Sequence, residues 1–485
     1  MRPILTALSA LVISACSVSI ALPETSTPAE PVDLLIRDVS VVDVETGLIA
    51  RDQAVAIRGD TIFAVVADNQ ADRFQAERTI DADDRYLMPG LWDMHIHFGG
   101  EGLEADNIAL FPLYVANGVV AVRDAAGDLS AQVLDWRANP PTPVGPRVFT
   151  SGPKIEGIAP VWKGVIETGS QVDVDAALDR LQALDVDFVK ITDNTLDPQL
   201  FLYVVRQAKA RGMRTSAHIP MSLTVLEAAE AGLSSIEHLG YLVKAGSPQE
   251  AEIAADYAAG QLTYAQAMAR YADTFDEATA RRTYARLAEL GVAVTPTLHG
   301  GQVIAWLDRD DHSHDPELAY IGDGLRATYD WRVQRAAQAT PEQVEARHRV
   351  EAVTARTLPL LRDAGVVLLA GTDAGYLNSY NYPGFSIHSE LEAYVAAGLT
   401  PREALAASVV NGPRWLGQGD RYVAVAQGRA ADLILLDDNP LQDVSATRHP
   451  ALVVIRGRPL DRPALDALLV EIAGGVRLRR QSAEP

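Results

Sequence analysis

Short apolar runs recur through the middle of this 485-residue chain, and between them lie stretches whose apolar residues fall three and four apart. The runs are Trp92–Phe98, Val119–Asp124, Arg147–Ser151, Phe188–Thr192, Thr215–Ile219, Ser235–Leu239, Val292–Thr297 and Val366–Thr372. Val174-Asp175-Ala176-Ala177-Leu178-Asp179-Arg180-Leu181 and Leu200 to Ala210 are examples of the helical pattern in between. Eight buried strands alternating with helices, at intervals of roughly 20–40 residues, fit an α/β fold of the (β/α)8 TIM-barrel kind, whose active site sits at the C-terminal ends of the strands. An open doubly wound sheet is the alternative. No Gly-rich dinucleotide fingerprint follows an early strand, which counts against it.

The two ends of the chain have a different texture. Asp33 to Val66 alternates apolar and polar residues, with turn signals at Thr46-Gly47 and Gly59-Asp60, and the same alternation returns in Ala431–Asp437 and Leu452–Gly457. One small discontinuous β-sandwich domain built from both ends, residues 32–86 plus 421–465, would therefore flank a barrel of residues 87–420, with 466–485 as a C-terminal tail. Two stretches, Tyr241 to Tyr271 and His299 to Ala355, exceed ordinary connections. They read either as lid elements over the barrel mouth or as helical decoration and subunit contacts, so a homo-oligomer stays open.

Charge excludes one class of partner. Acidic residues number 64 against 42 basic ones, a formal charge of −22, so nothing is gained by releasing counterions from a nucleic acid. The single cysteine, Cys16, excludes intrachain disulfides and thiolate-rich metal sites. It falls in Ile13-Ser14-Ala15-Cys16, after Arg2 and an apolar run, Ile4–Ser19, that is short for a membrane span. Residues 1–21 read as a secretory signal followed by a linker, 22–31. The cysteine motif resembles the bacterial lipobox, which implies an envelope or periplasmic protein anchored by a lipid on Cys16. Cleavage after Ser19-Ile20-Ala21 would instead leave a soluble exported form.

Chemistry-bearing residues collect at the strand ends. His95 and His97 lie two apart, so in a strand both imidazoles enter one space, which suits zinc or a similar divalent ion. Lys190 ends an apolar run in a chain with only four other lysines, Lys154, Lys163, Lys209 and Lys244. Its amine is costly there unless paired, and it is suited to forming a carbamate with CO2 or to reaching the strand end. His218, His238 and Asp373 each close a further run. Singly, each has a plain reading, a satisfied histidine or a helix N-cap. Jointly they describe one site.

At this point the chain resembles the binuclear-metal branch of the amidohydrolase superfamily, from about Asp33 to Pro459. The resemblance is carried by Met88-Pro89-Gly90-Leu91-Trp92-Asp93-Met94-His95-Ile96-His97, Gly118–Asp124, Phe188-Val189-Lys190-Ile191, the two histidine strands, Ala370–Gly375 and Gly428–Leu433. It implies two divalent metal ions, zinc by preference: one held by His95, His97 and Asp373, the other by His218 and His238, bridged by a carbamate on Lys190 and a hydroxide. It further implies that Asp373 moves the proton to the leaving amine, and that His238, with or without His299, completes the catalytic set. The alternative for His299 is a surface histidine on the lid. His312, His314, His348 and His449 read as solvated, and His388 as structural.

Within the superfamily the nearest likeness is to exported Xaa-Pro dipeptidases and imidazolonepropionase-like hydrolases, which implies cleavage of a C–N amide bond in a small molecule such as a dipeptide or an N-acyl amino acid. No Glu follows His218 in Ile219-Pro220-Met221-Ser222, unlike the one-metal deaminases. The chain departs from dipeptidases in Pro153–Gly164, where a Gly/His-rich loop is usual. There Trp162 would wall an apolar pocket and Lys154 or Lys163 pair a substrate carboxylate, against a packed tryptophan and solvated lysines. Tyr241 joins them as a substrate-side candidate. Hydrolysis of a lactone, carbamate or organophosphate ester is the alternative activity, and an envelope binding protein with a vestigial site the alternative class.

Overall fold

The alternating N-terminal residues build the edge and centre of one large sheet. In the computed structural model, which describes residues 29–483, this part comprises β1 (Glu30–Asp43), β2 (Leu48–Arg58), β3 (Thr61–Ala67), β4 (Phe74–Asp81) and β5 (Tyr86–Pro89). One residue, Gly90, separates β5 from β6 (Leu91–His97), which opens the middle region. There follow β7 (Val119–Asp124), β8 (Arg147–Thr150), β9 (Ile155–Glu156), β10 (Ile166–Glu167), β11 (Val189–Ile191), β12 (Thr215–Ala217), β13 (Ser235–Glu237), β14 (Ala293–Thr295) and β15 (Ala374–Gly375). The chain then returns with β16 (Leu433–Leu436), β17 (Leu452–Ile455) and β18 (Arg458–Asp461).

The first sheet joins both chain ends in the order β18-β17-β16-β5-β1-β2-β3, with β4 also on β1. The join is antiparallel, Leu433 opposite Pro89 through Leu436 opposite Tyr86. Its inward side chains, Leu34, Ile36, Val55 and Ile57 from one end and Leu433, Leu435 and Val454 from the other, share one core. The register of β1 against β2 shifts between Ile36 and Val41, which lets β1 pair with β4 along its first half and with β5 along its second.

The middle strands are parallel and form two sheets, β15-β6-β7-β8 and β10-β9-β11-β12-β13-β14. Backbone hydrogen bonds connect them at both edges: Asp187 N donates to Thr150 O (3.0 Å), Leu369 N to Val294 O (2.8 Å) and Met94 N to Ala370 O (2.8 Å). The run Val366–Thr372 makes only a single bridge, Leu368 with Val294, because Ala370 N turns to Ala407 O (3.0 Å) instead of continuing a ladder. Helices follow most strands and start where the sequence supplies caps: Ser170 for Gln171–Ala183, Asp197 with Pro198 for Pro198–Ala210, and a Thr224/Glu227 capping box for Val225–Ala231. The two long excursions are helical, and the second ends in the 23-residue helix Pro341–Asp363.

The terminal stretch expected as a tail belongs to a helix, Arg462–Ala483. It buries Leu465, Ile472 and Val476, and Arg480 pairs with Asp323 (2.6 Å). The signal and lipid-anchor readings, including Cys16, lie outside the described residues. Among the described residues no helix is long and apolar enough to cross a membrane.

Candidate metal centre

Strand pleating puts alternate residues of β6 on one face, so His95 and His97 enter the same space with nearly parallel rings 5.3 Å apart. Their Nε2 atoms are 3.2 Å from each other and 3.3 and 3.0 Å from Asp373 Oδ1. His218 and His238 form a second pair, Nε2 to Nε2 3.0 Å, and the His95 and His238 rings stand 5.0 Å apart. Ligand atoms of His95, His238 and Asp373 all lie within 4.8 Å of one another. Three of the residues that turn at strand ends adopt left-handed backbone, His238 (φ 72°), Thr297 (φ 46°) and Asp373 (φ 61°). Such strain costs about 1–3 kcal/mol each and is held by surrounding bonds, here His238 N to Thr295 O (2.8 Å) and Asp373 N to His95 O (2.7 Å).

Lys190 shares a rung of the sheet with Ser216, and Ser216 with Ser235. Both serine hydroxyls donate to Glu237 Oε1, at 2.7 and 2.5 Å, so lysine, serines and glutamate line one interior layer. Lys190 is 1% exposed and its Nζ has no hydrogen-bond partner. Burial pulls its pKa down to about 8, so a neutral amine is accessible near neutrality.

Glu237 orders the first histidine. Its Oε2 accepts from His95 Nδ1 (2.6 Å) and from Arg123 Nη2 (2.8 Å), and all three side chains are fully buried. Since Nδ1 carries the proton, His95 Nε2 presents a lone pair toward Asp373, His97 and His238. Burial holds His95 at about 3 and His238 at about 4, and pulls His218 well below its ordinary value, so these imidazoles are neutral. Burial raises the Asp373 carboxyl, yet its bond to His97 and the facing histidines hold it well below the usual range. Imidazole nitrogens and an ionised carboxylate oxygen gathered at about 3 Å are the donor types that a divalent ion takes. The donor set fits divalent metal.

Further residues, not singled out as site residues in the sequence, support this set. Arg123 donates Nε to Met94 O and Nη2 to Thr295 Oγ1 (3.1 Å), and lies over the rings of Trp415 (4.7 Å) and Phe188 (5.1 Å). Thr297 Oγ1 meets His238 Nδ1 at 2.7 Å. Asn378 Nδ2 donates to Asp373 Oδ1 (3.0 Å), and its own Oδ1 accepts from Arg332 Nη2 (2.6 Å). Arg332 Nε also donates to Leu377 O (3.0 Å), so the helix Asp330–Ala337 of the second excursion grips the loop that follows Asp373. Glu237 and Arg123 did carry a signal, since a charged side chain inside an apolar strand needs a buried partner.

The other expected residues fall out unevenly. Lys154 and Trp162 come together, Nζ 5.2 Å from the ring. Tyr241 stacks 6.4 Å from His218 and its hydroxyl donates to Asp193 Oδ2 (3.3 Å). Lys163 does not enter the site: its side chain is 81% exposed and pairs with Glu101 at 3.3 Å. Nor is His299 brought to the metal ligands. Its backbone N donates to Glu390 Oε2 (2.6 Å), and its ring, held at about 4 by burial, is next influenced by Arg448 and His312. His312 and His348 are half-buried rather than solvated, each bonded to a carboxylate, Asp315 and Asp308, at 2.9 Å. His388 is buried between Thr447 Oγ1 (2.9 Å) and Asn117 O (3.1 Å).

Residues 142–460 match the amidohydrolase family. The chain belongs to that family. Its members generally use metal ions. Among curated sequences this amidohydrolase is 22% identical to ochratoxinase from Aspergillus niger over 431 residues, 76% of this chain and 73% of that protein. Uncharacterized mycobacterial proteins match at 36% over 97 residues, where the chain spans only 24% of their length. Among solved structures, bottromycin amidohydrolase aligns with a TM-score of 0.68 at 22% identity, over 91% of this chain and 90% of that one. A Xaa-Pro dipeptidase with bound methionine aligns with a TM-score of 0.63 at 20% identity, over 88% and 99%. At these identities the structural likeness speaks for the fold.

Proposed function

We propose that this amidohydrolase holds two divalent metal ions, zinc by preference, and cleaves the C–N amide bond of a small substrate, a dipeptide or an N-acyl amino acid. The observation that carries the reading is the convergence of His95, His97, His218, His238 and Asp373 with Lys190, a buried amine without a hydrogen-bond partner. His95, His97 and Asp373 would hold one ion and His218 and His238 the other. Lys190 would add to CO2, releasing a proton, to give a carbamate that would help to hold the ions. Ions held there polarise a carbonyl and make water nucleophilic near neutral pH. The contacts of Asp373 fall on Oδ1, which leaves Oδ2 to take the proton of the attacking water and pass it to the leaving nitrogen. Neutral His238, fixed by Thr297, keeps its Nε2 aimed at the reacting space.

The matching fold is a (β/α)8 barrel of residues 87–420 beside a β-sandwich of 32–86 and 421–465, with the excursions shaping the mouth. The parallel sheets and the bonds at their edges support it. Export and a lipid on Cys16 complete the proposal, and metabolic labelling with a fatty-acid analogue in a bacterial host tests the anchor.

Metal analysis of the purified protein, with activity on a panel of dipeptides, N-acyl amino acids and lactones before and after chelation, tests the function. About two ions per chain lost together with amide hydrolysis is expected. A folded, metal-free protein inactive on every amide after metal loading would sink it. Lys190→Ala should lose the second ion, and retention of both ions with full activity would remove the carbamate.

A further inference from the structure

Of the cations near the metal centre, most are committed. Arg123 serves Glu237, Arg332 serves Asn378 and Leu377 O, and Lys244 donates to the carbonyls of Pro220, Met221 and Leu223. Lys154 is different. Its Nζ makes no hydrogen bond and no ion pair among the described residues, although the residue is only 6% exposed, and the Trp162 ring lies 5.2 Å from that Nζ.

Its direction follows from register. Ile155 pairs with Ile191 in parallel, so the residues just before them, Lys154 and Lys190, stand side by side with side chains on one face of the sheet. Lys154 therefore points toward the same interior as Lys190. Burial lowers its pKa, while Asp128, Asp124, Glu156 and Asp373 act to raise it, none of them within ion-pair distance.

The surroundings are built to admit this side chain. At Gly127 (φ +91°) a Cβ would lie 3.0 Å from Lys154 Cγ and 3.1 Å from its backbone N. At Gly164 (φ +67°) a Cβ would lie 2.3 Å from Asp128 Cα. Only bare backbone lets the two loops close this tightly, one beneath Lys154 and one carrying Trp162 over it. An ammonium on a residue this largely buried, with no ion pair among the described residues, is stabilised by an arriving anion.

The geometry points to Lys154 as the anchor for the free carboxylate of the substrate, with Trp162 as the apolar wall beside it. The inference rests on the amide-hydrolase reading and narrows it: the substrates are amides that carry a carboxylate, and their carboxamides and esters are handicapped. It also explains how an anionic substrate is drawn to a protein of net charge −22.

Two measurements on metal-loaded protein test it. Calorimetric binding of 4-phenylbutanoate, a carboxylate with no amide to cleave, should weaken about 10- to 100-fold in Lys154→Met, the range of a lost charge-assisted bond. Lys154→Arg, which keeps the charge, should hold it within tenfold and guards against a folding defect in the first variant. In the substrate panel, the ratio of kcat/KM for each free acid over its carboxamide should fall by a similar factor in Lys154→Met, through KM. Equal binding of 4-phenylbutanoate by native protein and Lys154→Met places the carboxylate elsewhere and overturns the inference, as does a native enzyme indifferent to acid and carboxamide. If the native enzyme cleaves no amide while 4-phenylbutanoate still depends on Lys154, the anchor stands and the amide-hydrolase reading fails.

Discussion

Replacing Glu237 by Gln separates shape from charge at the layer beneath the metal ligands. A glutamine fits the same contacts: its carbonyl accepts from His95 Nδ1 and Arg123 Nη2, and its amide donates to the Ser216 and Ser235 hydroxyls, which rotate to accept. Only the negative charge is lost. Arg123 is then a guanidinium at 0% exposure whose acceptors, the glutamine carbonyl, Met94 O and Thr295 Oγ1, are all neutral, with Nη1 unpartnered. Leaving one member of a buried pair uncompensated costs about 3–5 kcal/mol, expected as loss of unfolding free energy in denaturant titrations of metal-free protein. The same change weakens the orientation of His95, which should lower metal affinity about 10- to 100-fold in chelator competition. The pH dependence has a definite sign. Burial raises the Glu237 carboxyl, but Arg123 and His95 hold it well below its ordinary 4.5. Its contribution is therefore full above that value and fades as acid protonates the folded state. The gap between native protein and variant should be widest near neutrality and shrink in acid. A variant within 1 kcal/mol of native stability and within threefold in metal affinity would refute the assignment of Glu237 as counter-ion and orienting group.

Other perturbations probe other links. Glu351 and Glu390 are both pushed up to about 8 by burial, and Glu351 Oε1 has no partner. Between their ordinary 4.5 and about 8 the folded protein keeps protons that the unfolded chain releases, so stability should fall as pH rises through that window. Glu351→Gln should flatten this slope, and an unchanged slope in denaturation at pH 5, 6.5 and 8 would count against the buried-acid account. Asn378→Leu should cut kcat about tenfold with KM nearly constant, since it frees the carboxylate that moves the proton; a loss confined to KM would contradict that role. Gly371→Ala would set a Cβ 2.6 Å from Thr295 Cγ2 and 2.8 Å from His95 N, so about 1–3 kcal/mol of stability and part of the metal content should be lost. Native stability and full metal content would show that the neighbours yield.

What the sequence tells of this site depends on whether the information is local. His95 and His97 are legible because a strand has period two, and Asp373 or His238 because a polar residue closes an apolar run. The weak pairing of Val366–Thr372 is not legible, since it depends on Ala370 N finding a carbonyl at Ala407. Lys154 and Lys163 look alike in sequence, and the path of the loop over Gly127 and Asp128 buries one and exposes the other. The same holds for His299, where the helix Leu298–Trp306 starts with its backbone on Glu390 and the ring leaves the metal side. Arg332 and Asn378 meet only because an excursion folds back onto the loop after Asp373, a tertiary contact with no periodic trace.

The antiparallel join of β16 to β5 bears on how the molecule is made. Its partners are roughly 350 residues apart, so on a ribosome β5 waits for that length of chain before its edge is closed. Until then β5 exposes unpaired backbone groups one residue ahead of the strand that carries His95 and His97. β16 thus completes an edge made long before it, and truncation before Leu433 leaves a nascent chain with an open edge prone to pair with its neighbours rather than a smaller working enzyme.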